Sequence, residues 1–454
     1  MAKHWADPRS VERDESAVRR RRRAAVIFAA CCAAAVIALG GVAAFQFMRP
    51  AVLKENTGTG GTARVEGLAG SQGAGGAGPD AGLPFALDGV PTDAPVVQVS
   101  EGADTAALRD AWSFGGDYSA IGSFPLDDGE VFGSSTDDPS DETGYAASVI
   151  GRKGARAIES ASPADDEGFW EPQDGSAYKG GAVWRSAKIS YTPQASVDNW
   201  RIQAWDGKSG AVETLMDASA INDGEDTPRA YGEVVPTANV SHAFFAGNVK
   251  EGSAWKTEVL AAPLDGSRGA DDVTRVGEGN YPAAVEDGVL FASTLADADD
   301  PSSSSELKHW GDGDGKAVTV FTMSPANNGS RWGIDGVWAF KGYRAVCFTS
   351  TDIDDGSYIG IWSEGFQKAI TWLHVDSPSV VASLNGSWLV WGSGSQGSNA
   401  GMYAFKWGTS RILYLGSASG YSRPTIASDS NTVLVPEYQG DDSAVSFTVG
   451  ELPE

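Results

Sequence analysis

The residue types that most often carry enzyme chemistry are sparse in this sequence of 454 residues. No G-x-S-x-G, C-x-x-C, Walker or H-E-x-x-H motif is present, and Cys347 lies among apolar residues, which is typical of a buried structural thiol. The histidines have no metal-ligand spacing to one another, and they are His4, His242, His309 and His374. We therefore predict no catalytic, metal or cofactor site, and we expect single histidines on loops or strand edges.

Clusters of aspartates are frequent, and calcium prefers such oxygen ligands. The segment nearest to a calcium loop is Asp352-Ile-Asp354-Asp355-Gly356, which lacks the alternating ligands and the distal glutamate of such a loop. We interpret these clusters as solvated turns, with calcium binding at this segment as the alternative. A carboxylate pair for glycoside hydrolysis cannot be chosen among so many aspartates without geometry.

Tryptophan is abundant, with 15 residues in the chain, and its ring can either pack in a core or offer a face to a ligand. Trp184, Trp338 and Trp388 lie in strand-like runs, so we expect them to pack between sheets. Trp170 in GFWEPQDG and Trp310 in KHWGDGDG lie in loop-like contexts. We select these two as candidate binding residues.

Residues 24–48 carry no charge and, as a helix of roughly 37 Å, could cross a bilayer core of about 30 Å. Five arginines, Arg19 to Arg23, precede this run, and positive charge beside a span stays cytoplasmic. We predict a single-pass protein in the cell membrane, with a basic cytoplasmic tail over 1–23 and an extracytoplasmic C-terminal region. The alternatives are a cleaved signal peptide, a lipoprotein acylated at Cys31 and a twin-arginine export signal.

Residues 49–94 are rich in glycine and poor in large apolar side chains, which predicts a flexible, disordered linker. The net charge of the whole chain is −26 although the first 50 residues are basic, so the region outside the membrane is strongly acidic. Such a surface repels phosphate backbones, which argues against nucleic acid as a partner. Acidity also keeps a glycine-rich protein soluble.

From residue 95 to 454 the pattern predicts an all-β domain, because short apolar or alternating runs recur between turn residues. A unit of a short strand, a polar turn and a strongly apolar strand repeats with a period of roughly 42 to 52 residues. Together with a second hairpin, each unit has the four strands of a propeller blade. The units start at residues 236, 282, about 334, 378 and 424.

The stretch PAAVEDGVLFAS, Pro282 to Ser293, resembles the repeat of TolB-type six-bladed propellers of bacteria. The resemblance covers about 180–454 and only weakly 96–180. It implies a β-propeller, with six blades favoured and seven as the alternative; a pair of β-sandwiches or a β-solenoid are the other folds considered. The last unit has room for about three strands, so we expect Ala94–Ser100 to complete it, because an open edge is an aggregation hazard.

These features predict a membrane-anchored extracytoplasmic propeller that binds a protein or glycan partner at one mouth of the ring, without catalysis. The alternative is an extracytoplasmic hydrolase of glycans or peptides on the same fold, for which aspartates clustered around a central arginine would be the evidence. A third hypothesis is that the protein signals across the membrane through residues 1–23. The sequence does not define the oligomeric state.

Overall fold

The computed structural model describes residues 82–99, 103–117, 119–138, 144–160, 168–178, 180–190, 200–218, 221, 235–252, 254–264, 273–294, 305–313, 315–324, 332–350, 352–394, 400–409, 411–417, 423–439 and 444–454. The predicted tail, the predicted transmembrane helix and most of the predicted linker therefore lie outside the described residues. Within the described ranges, no helix is long and apolar enough to span a bilayer.

Four short strands begin the described chain, and each of them joins a different sheet. They are β1 (Ala86–Asp88), β2 (Val96–Gln98), β3 (Asp104–Thr105) and β4 (Arg109–Gly115).

Seven sheets follow in chain order, and we number them blades 1 to 7. Blade 1 contains β5 (Ala120–Pro125), β6 (Val131–Ser135), β7 (Ala146–Gly151) and β8 (Gly154–Ala157). Blade 2 contains β9 (Gly168–Tyr178), β10 (Gly181–Ser190), β11 (Trp200–Trp205) and β12 (Val212–Asp217). Blade 3 contains β13 (Thr237–Ala238), β14 (His242–Glu251), β15 (Ala254–Pro263) and β16 (Thr274–Glu278).

Blades 4 to 7 complete the series. Blade 4 contains β17 (Asn280–Val285), β18 (Gly288–Thr294), β19 (Ser305–Gly311) and β20 (Val318–Ser324). Blade 5 contains β21 (Trp332–Phe340), β22 (Tyr343–Ser350), the 3-10 turn Ile353–Asp355, β23 (Ser357–Ser363) and β24 (Lys368–Val375). Blade 6 contains β25 (Val380–Leu384), β26 (Trp388–Ser393), β27 (Gly401–Lys406) and β28 (Arg411–Gly416), and blade 7 contains β29 (Thr425–Ile426), β30 (Thr432–Gln439) and β31 (Ala444–Glu451).

The blades are antiparallel meanders whose first strands lie side by side around a central channel. Contacts between first strands run from β5 through β9, β13, β17, β21 and β25 to β29, and from β29 back to β5. Side-chain hydrogen bonds link the first strands of neighbouring blades. They are Ser123 Oγ to Gln173 O at 2.9 Å, Ser176 Oγ to Pro236 O at 2.9 Å, Thr237 Oγ1 to Pro282 O at 3.4 Å, Tyr281 OH to Asp335 Oδ1 at 2.7 Å, Ile426 N to Ser383 Oγ at 3.3 Å and Thr425 Oγ1 to Ser123 O at 3.4 Å.

The prediction of an all-β propeller is confirmed, whereas the preference for six blades is wrong, because the ring has seven. Each repeat unit identified in the sequence forms the first two strands of one blade, from blade 3 to blade 7. Blade 1 and the first strand of blade 2 occupy the part of the chain in which the resemblance is weak. In blade 1 the buried positions of β6 and β7 include Gly, Ser and Ala beside Val, Phe and Ile, so the apolar pattern is weaker there.

The ring is closed by β4, which pairs antiparallel with β31 and so becomes the fourth strand of blade 7. The expectation that Ala94–Ser100 performs this closure is wrong. The strand in that segment, β2, instead pairs in parallel with β24 of blade 5. The physical reason for closure was correct, because the last strand of blade 7 needs a partner at its outer edge. The strand that pairs with this edge lies further along the chain than Ala94–Ser100.

Residues 83–99 and 103–106, which we call the N-terminal belt, run along the outer edges of three blades. β1 pairs with β20 of blade 4, β2 with β24 of blade 5 and β3 with β28 of blade 6. Indole groups bind the belt between its strands: Trp362 Nε1 donates to Pro91 O at 2.8 Å and Trp372 Nε1 donates to Thr92 O at 3.0 Å. Residues 82–94, which the sequence places in the linker, are therefore part of the folded ring.

The hydrophobic cores lie in the seams between neighbouring blades. Trp184, Trp338 and Trp388 are 0%, 9% and 0% exposed, so the expectation that they pack is confirmed. Belt and ring share a core, because Phe85 of the belt packs 5.2 Å from the ring of Trp332 and 4.7 Å from that of Phe348.

Replacing Phe85 by Ala should lower the free energy of unfolding by about 3 kcal/mol, because a buried aromatic ring is lost and a cavity remains. Val318→Ala is the matched control, since Val318 is 58% exposed on β20, the strand with which β1 pairs. It should change stability by less than about 0.5 kcal/mol. Chemical denaturation of the full chain in detergent measures both, and equal effects would show that the belt does not contribute to the core.

Candidate functional site

The central channel contains a cavity of about 410 Å³, which lies within the range typical of ligand sites. The first strands of all seven blades contribute to its wall. We call the end that carries the turns between first and second strands the turn end, and the opposite end, where the chain enters each first strand, the entry end. Small residues keep the middle open, among them Ala283, Ala284 and Ala382.

Aromatic and aliphatic side chains together form the apolar part of the wall. Tyr178 lines the channel from blade 2, and Trp338 and Phe340 line it from blade 5. Gly175 of β9 allows the backbone of blade 2 to pack closely, because a Cβ atom there would lie 2.2 Å from Val183 O. The wall is therefore largely apolar and is held by backbone that tolerates little change.

Two ion pairs lie at the turn end. Lys341 Nζ donates to Asp429 Oδ1 at 2.8 Å, which links the turn of blade 5 to that of blade 7, and it lies 4.7 Å from the centroid of the Phe340 ring. Arg344 Nη2 lies 3.3 Å from Glu286 Oε2 and joins blade 5 to blade 4. Lys341 has a φ of 47°, a left-handed conformation that a non-glycine residue adopts at some cost. This turn therefore aims a lysine at the channel mouth.

Asn239 and Asn385 fix two other turns at this end in the same way. The side-chain oxygen of each accepts hydrogen bonds at 2.9 Å from the backbone N–H groups two and three residues later. The side-chain nitrogen of each donates to the next blade, Asn239 to Val285 O at 3.2 Å and Asn385 to Ala427 O at 3.3 Å. Side-chain hydrogen bonds thus fix the turns of blades 3 and 6 to the blades that follow them.

A second unusual backbone position lies at the entry end. Tyr281 has a φ of 56° where the pairing of β17 with β18 shifts register, and its hydroxyl donates to Asp335 Oδ1 at 2.7 Å. Strained residues of this kind persist where the surroundings hold them and cluster at functional sites. Arg423 of blade 7 lines the same end of the channel.

Neither tryptophan selected from the sequence lies in a loop. Trp310 belongs to β19, is 4% exposed and packs edge-on against Phe244 with 6.2 Å between ring centroids. Trp170 belongs to β9 and is half-buried, with the Arg201 guanidinium 4.5 Å above its ring. The structure does not bring the two together in the channel wall, and binding by either residue stays a prediction.

The histidines described by the structure lie in three different blades. His242 Nδ1 is 3.1 Å from Ser241 Oγ and 3.4 Å from Asp312 Oδ1. This is not a nucleophile–base arrangement, because both neighbours approach the same ring nitrogen. His309 Nε2 lies 3.3 Å from Asp287 Oδ1, and His374 stacks on Tyr358 with centroids 4.4 Å apart. Each histidine therefore has a local partner, and His4 lies outside the described residues.

The acidic segment after Ser350 is a turn whose carboxylates cap its own backbone. Asp352 Oδ1 accepts from Asp354 N at 3.2 Å, and Ser350 Oγ donates to Asp355 Oδ2 at 2.7 Å. Among the residues that the structure describes, no group of three His, Cys, Asp or Glu side chains is placed to hold a metal ion. Cys347 is completely buried, and burial raises the pKa of its thiol.

Sequence reasoning missed the channel residues Tyr281, Phe340 and Lys341. None belongs to a motif, and each is defined by its position in the repeat. Phe340 and Lys341 end the first strand of blade 5, at the point where Val285 and Glu286 end that of blade 4. The repeat period was therefore the one signal that could have located the turn end of the channel.

The first strand of blade 2 carries a desolvated acid. Burial raises the pKa of Glu171 from 4.5 to about 7. Gln173 and Asp174, in the same strand, accept hydrogen bonds from the buried Arg185 guanidinium at 3.1 and 2.9 Å. Between pH 4.5 and 7 the folded state keeps a proton on Glu171 that the unfolded state loses, so this carboxyl makes the protein less stable as pH rises through that window.

Glu171→Gln should remove this pH dependence, because the amide is neutral throughout. The free energy of unfolding of this variant, relative to that of the parent protein, should rise from pH 4.5 to pH 7 and then level off. Denaturation of both proteins across pH 4 to 8 measures the difference. Glu364→Gln, at an exposed turn position, should show no such trend, and a difference for Glu171→Gln that is constant with pH would contradict the assignment.

Neither a protein-family model nor a curated protein sequence matches the chain. Solved structures that it resembles include a puromycin-hydrolyzing peptidase of Mycobacterium tuberculosis, with 12% identity and a TM-score of 0.41 over 75% of this chain. The chain covers 54% of that peptidase. The β-propeller domain of the Trilobed protease from Pyrococcus furiosus is 11% identical with a TM-score of 0.44, over 74% of this chain and 98% of the domain. The seven sheets themselves define the class of this protein, a seven-bladed β-propeller.

Proposed function

We propose that this protein is a single-pass, membrane-anchored extracytoplasmic propeller that binds a segment of a partner protein in its central channel, without catalysis. The observation that carries the proposal is the channel itself, a cavity of about 410 Å³ with a largely apolar wall and ion pairs at its turn end. A largely apolar cavity with a few fixed polar groups is the usual form of a binding site. The TolB-type relationship suggested by the repeat at Pro282–Ser293 is part of this proposal.

The path of the chain supports a tethered binder. The belt enters the ring at the outer edge of blade 4, where β1 pairs with β20. The proposed tether, which comprises the helix over 24–48 and the linker that follows it, therefore reaches the rim of the ring and not the channel. A ring held by its rim can offer a channel end to a partner.

The apolar wall of the channel and the charges at its mouth favour an extended polypeptide segment. Apolar side chains of such a segment would contact Trp338 and Phe340, and its polar groups would meet Lys341 and Asp429 at the mouth. The Lys341–Asp429 pair is 66% and 57% exposed, so it contributes little to stability and is available to exchange partners.

A hydrolase on the same scaffold is the competing function. Glycoside hydrolysis needs two carboxyl groups facing each other across the substrate. Among the described residues that line the cavity, Glu286 is the one with a carboxyl side chain. Turnover of a defined glycan or peptide that is lost in Glu286→Gln would establish the hydrolase and overturn the binding proposal.

Lys341→Glu should weaken partner capture about tenfold, because it reverses a charge at the mouth and places two acids together. The test uses the full chain in detergent with a photoreactive amino acid at Phe340, and cross-linked partner peptides from cell envelopes are counted by mass spectrometry. Lys316→Glu is the control, because it makes the same charge change at an exposed position on the outer part of the same end of the ring.

Loss of cross-links in Lys341→Glu alone supports the channel as the binding site. Equal capture by both variants, or cross-links that do not depend on the position of the photoreactive group, would contradict it. Melting curves of both variants should match the parent protein, since both lysines lie in exposed turns.

Membrane attachment has its own test. The mature protein should fractionate with membranes and retain residues 1–23, because an uncleaved helix of this length is held by the bilayer. An N-terminus between about residues 35 and 51 in the mature protein would instead show cleavage.

A further inference from the structure

The seam between blades 7 and 1, where the ring closes, contains an open groove of about 640 Å³. We call it the closure groove. One wall is β4, the closing strand of blade 7, and the other is the outer part of blade 1, from β7 to β8. It lies at the rim of the ring, so it is separate from the central channel.

The two walls differ in a way that leaves two aromatic rings partly exposed among the described residues. Trp112 and Phe114 of β4 are half-buried and point into the groove, with ring centroids 5.4 Å apart. Phe114 stacks on Phe447, its partner in the neighbouring strand β31, with 5.2 Å between ring centroids. Opposite them, the outer part of blade 1 lines the groove with several small residues, among them Gly154, Ala155 and Ala157.

Other seams of the same ring are filled. In the seam between blades 4 and 5, Trp362 and Trp372 are both 0% exposed and pack 5.2 Å apart. In the seam between blades 5 and 6, Trp391 and Tyr403 stack at 5.3 Å and are 0% and 4% exposed. Large rings therefore fill these two seams, whereas space remains in the seam between blades 7 and 1, where several small residues lie opposite Trp112.

The margin of the groove is polar and balanced in charge. The hydroxyls of Ser135 and Thr136 line it, and each retains capacity for a further hydrogen bond beyond its partner within the protein. Arg152 and Asp137 contribute one charge of each sign. Arg152 also donates to the carbonyl oxygen of Asp110, which ties blade 1 to the closing strand across the groove.

We propose that the closure groove binds a neutral oligosaccharide. The face of an aromatic ring is electron-rich, and the axial C–H bonds of a sugar ring carry partial positive charge, so a sugar stacks on Trp112 while its hydroxyls reach the polar margin. Equal numbers of positive and negative groups favour an uncharged ligand. A purely apolar ligand would desolvate the hydroxyls without replacing their hydrogen bonds.

The test titrates the full chain in detergent with neutral hexasaccharides of three linkages: β-1,4-glucose, α-1,4-glucose and β-1,4-N-acetylglucosamine. Calorimetry measures binding. Trp112→Ala should weaken binding at least tenfold, and Trp112→Tyr should retain most of it, because the aromatic face remains. Ala155→Trp fills the groove from an exposed position on β8 and should also abolish binding.

Trp255→Ala is the control, since it removes a tryptophan that is 42% exposed outside the groove, and it should bind like the parent protein. Ala155→Trp keeps the test decisive if Trp112→Ala proves poorly folded, because it removes no core contact. Failure of the parent protein to bind any of the three sugars would overturn the proposal, as would binding that survives Ala155→Trp. Because Lys341 lies in the channel, loss of channel binding would leave this result unchanged.

Discussion

Ring closure by the antiparallel pairing of β4 with β31 is the interaction on which the rest of the structure depends. Each blade buries its two faces against two neighbours, so a blade has no complete core of its own. If the closing strand were absent, the seam between blades 7 and 1 would lose Trp112 and Phe114, and the first strands of those blades would have to hold together through contacts such as Thr425 to Ser123. The channel therefore depends on ring closure, because the first strands of all seven blades form its wall.

The belt makes the rim of the ring asymmetric. In the described part of the chain, blades 4 to 6 have their outer edges covered by β1, β2 and β3, whereas blades 1 to 3 end in β8, β12 and β16. An edge strand without a partner invites pairing with another chain. In β16 the register shift beside Gly277 and the charged residues Arg275 and Glu278 oppose such pairing. The belt is followed in the sequence by the closing strand β4, so the strands that cover the rim and the strand that closes the ring lie in one short stretch of the chain.

The sequence predicted the elements well and their partners poorly. Alternating apolar residues and turn signals identify strands because these are local patterns, and the repeat units from Pro236 onward became blades as expected. Trp310 was misplaced because the glycine and aspartate residues after it look like a loop, although β19 continues to Gly311. Ring closure was assigned to the wrong strand because a short apolar strand carries no information about which sheet edge it will pair with. The channel pairs Tyr281–Asp335 and Lys341–Asp429 join residues 54 and 88 positions apart, which no local pattern reveals.

Native-state hydrogen exchange on the full chain tests the central claim, that closure holds the ring as one unit, most directly. Amides of β4 should be protected by the same opening free energy as amides of β31 and of the buried strand β26, because release of β4 opens the whole ring. Protection of β4 at the low level of a frayed terminus, with β26 still fully protected, would contradict this account. The ring that forms the channel would then be stable without the pairing of β4 with β31.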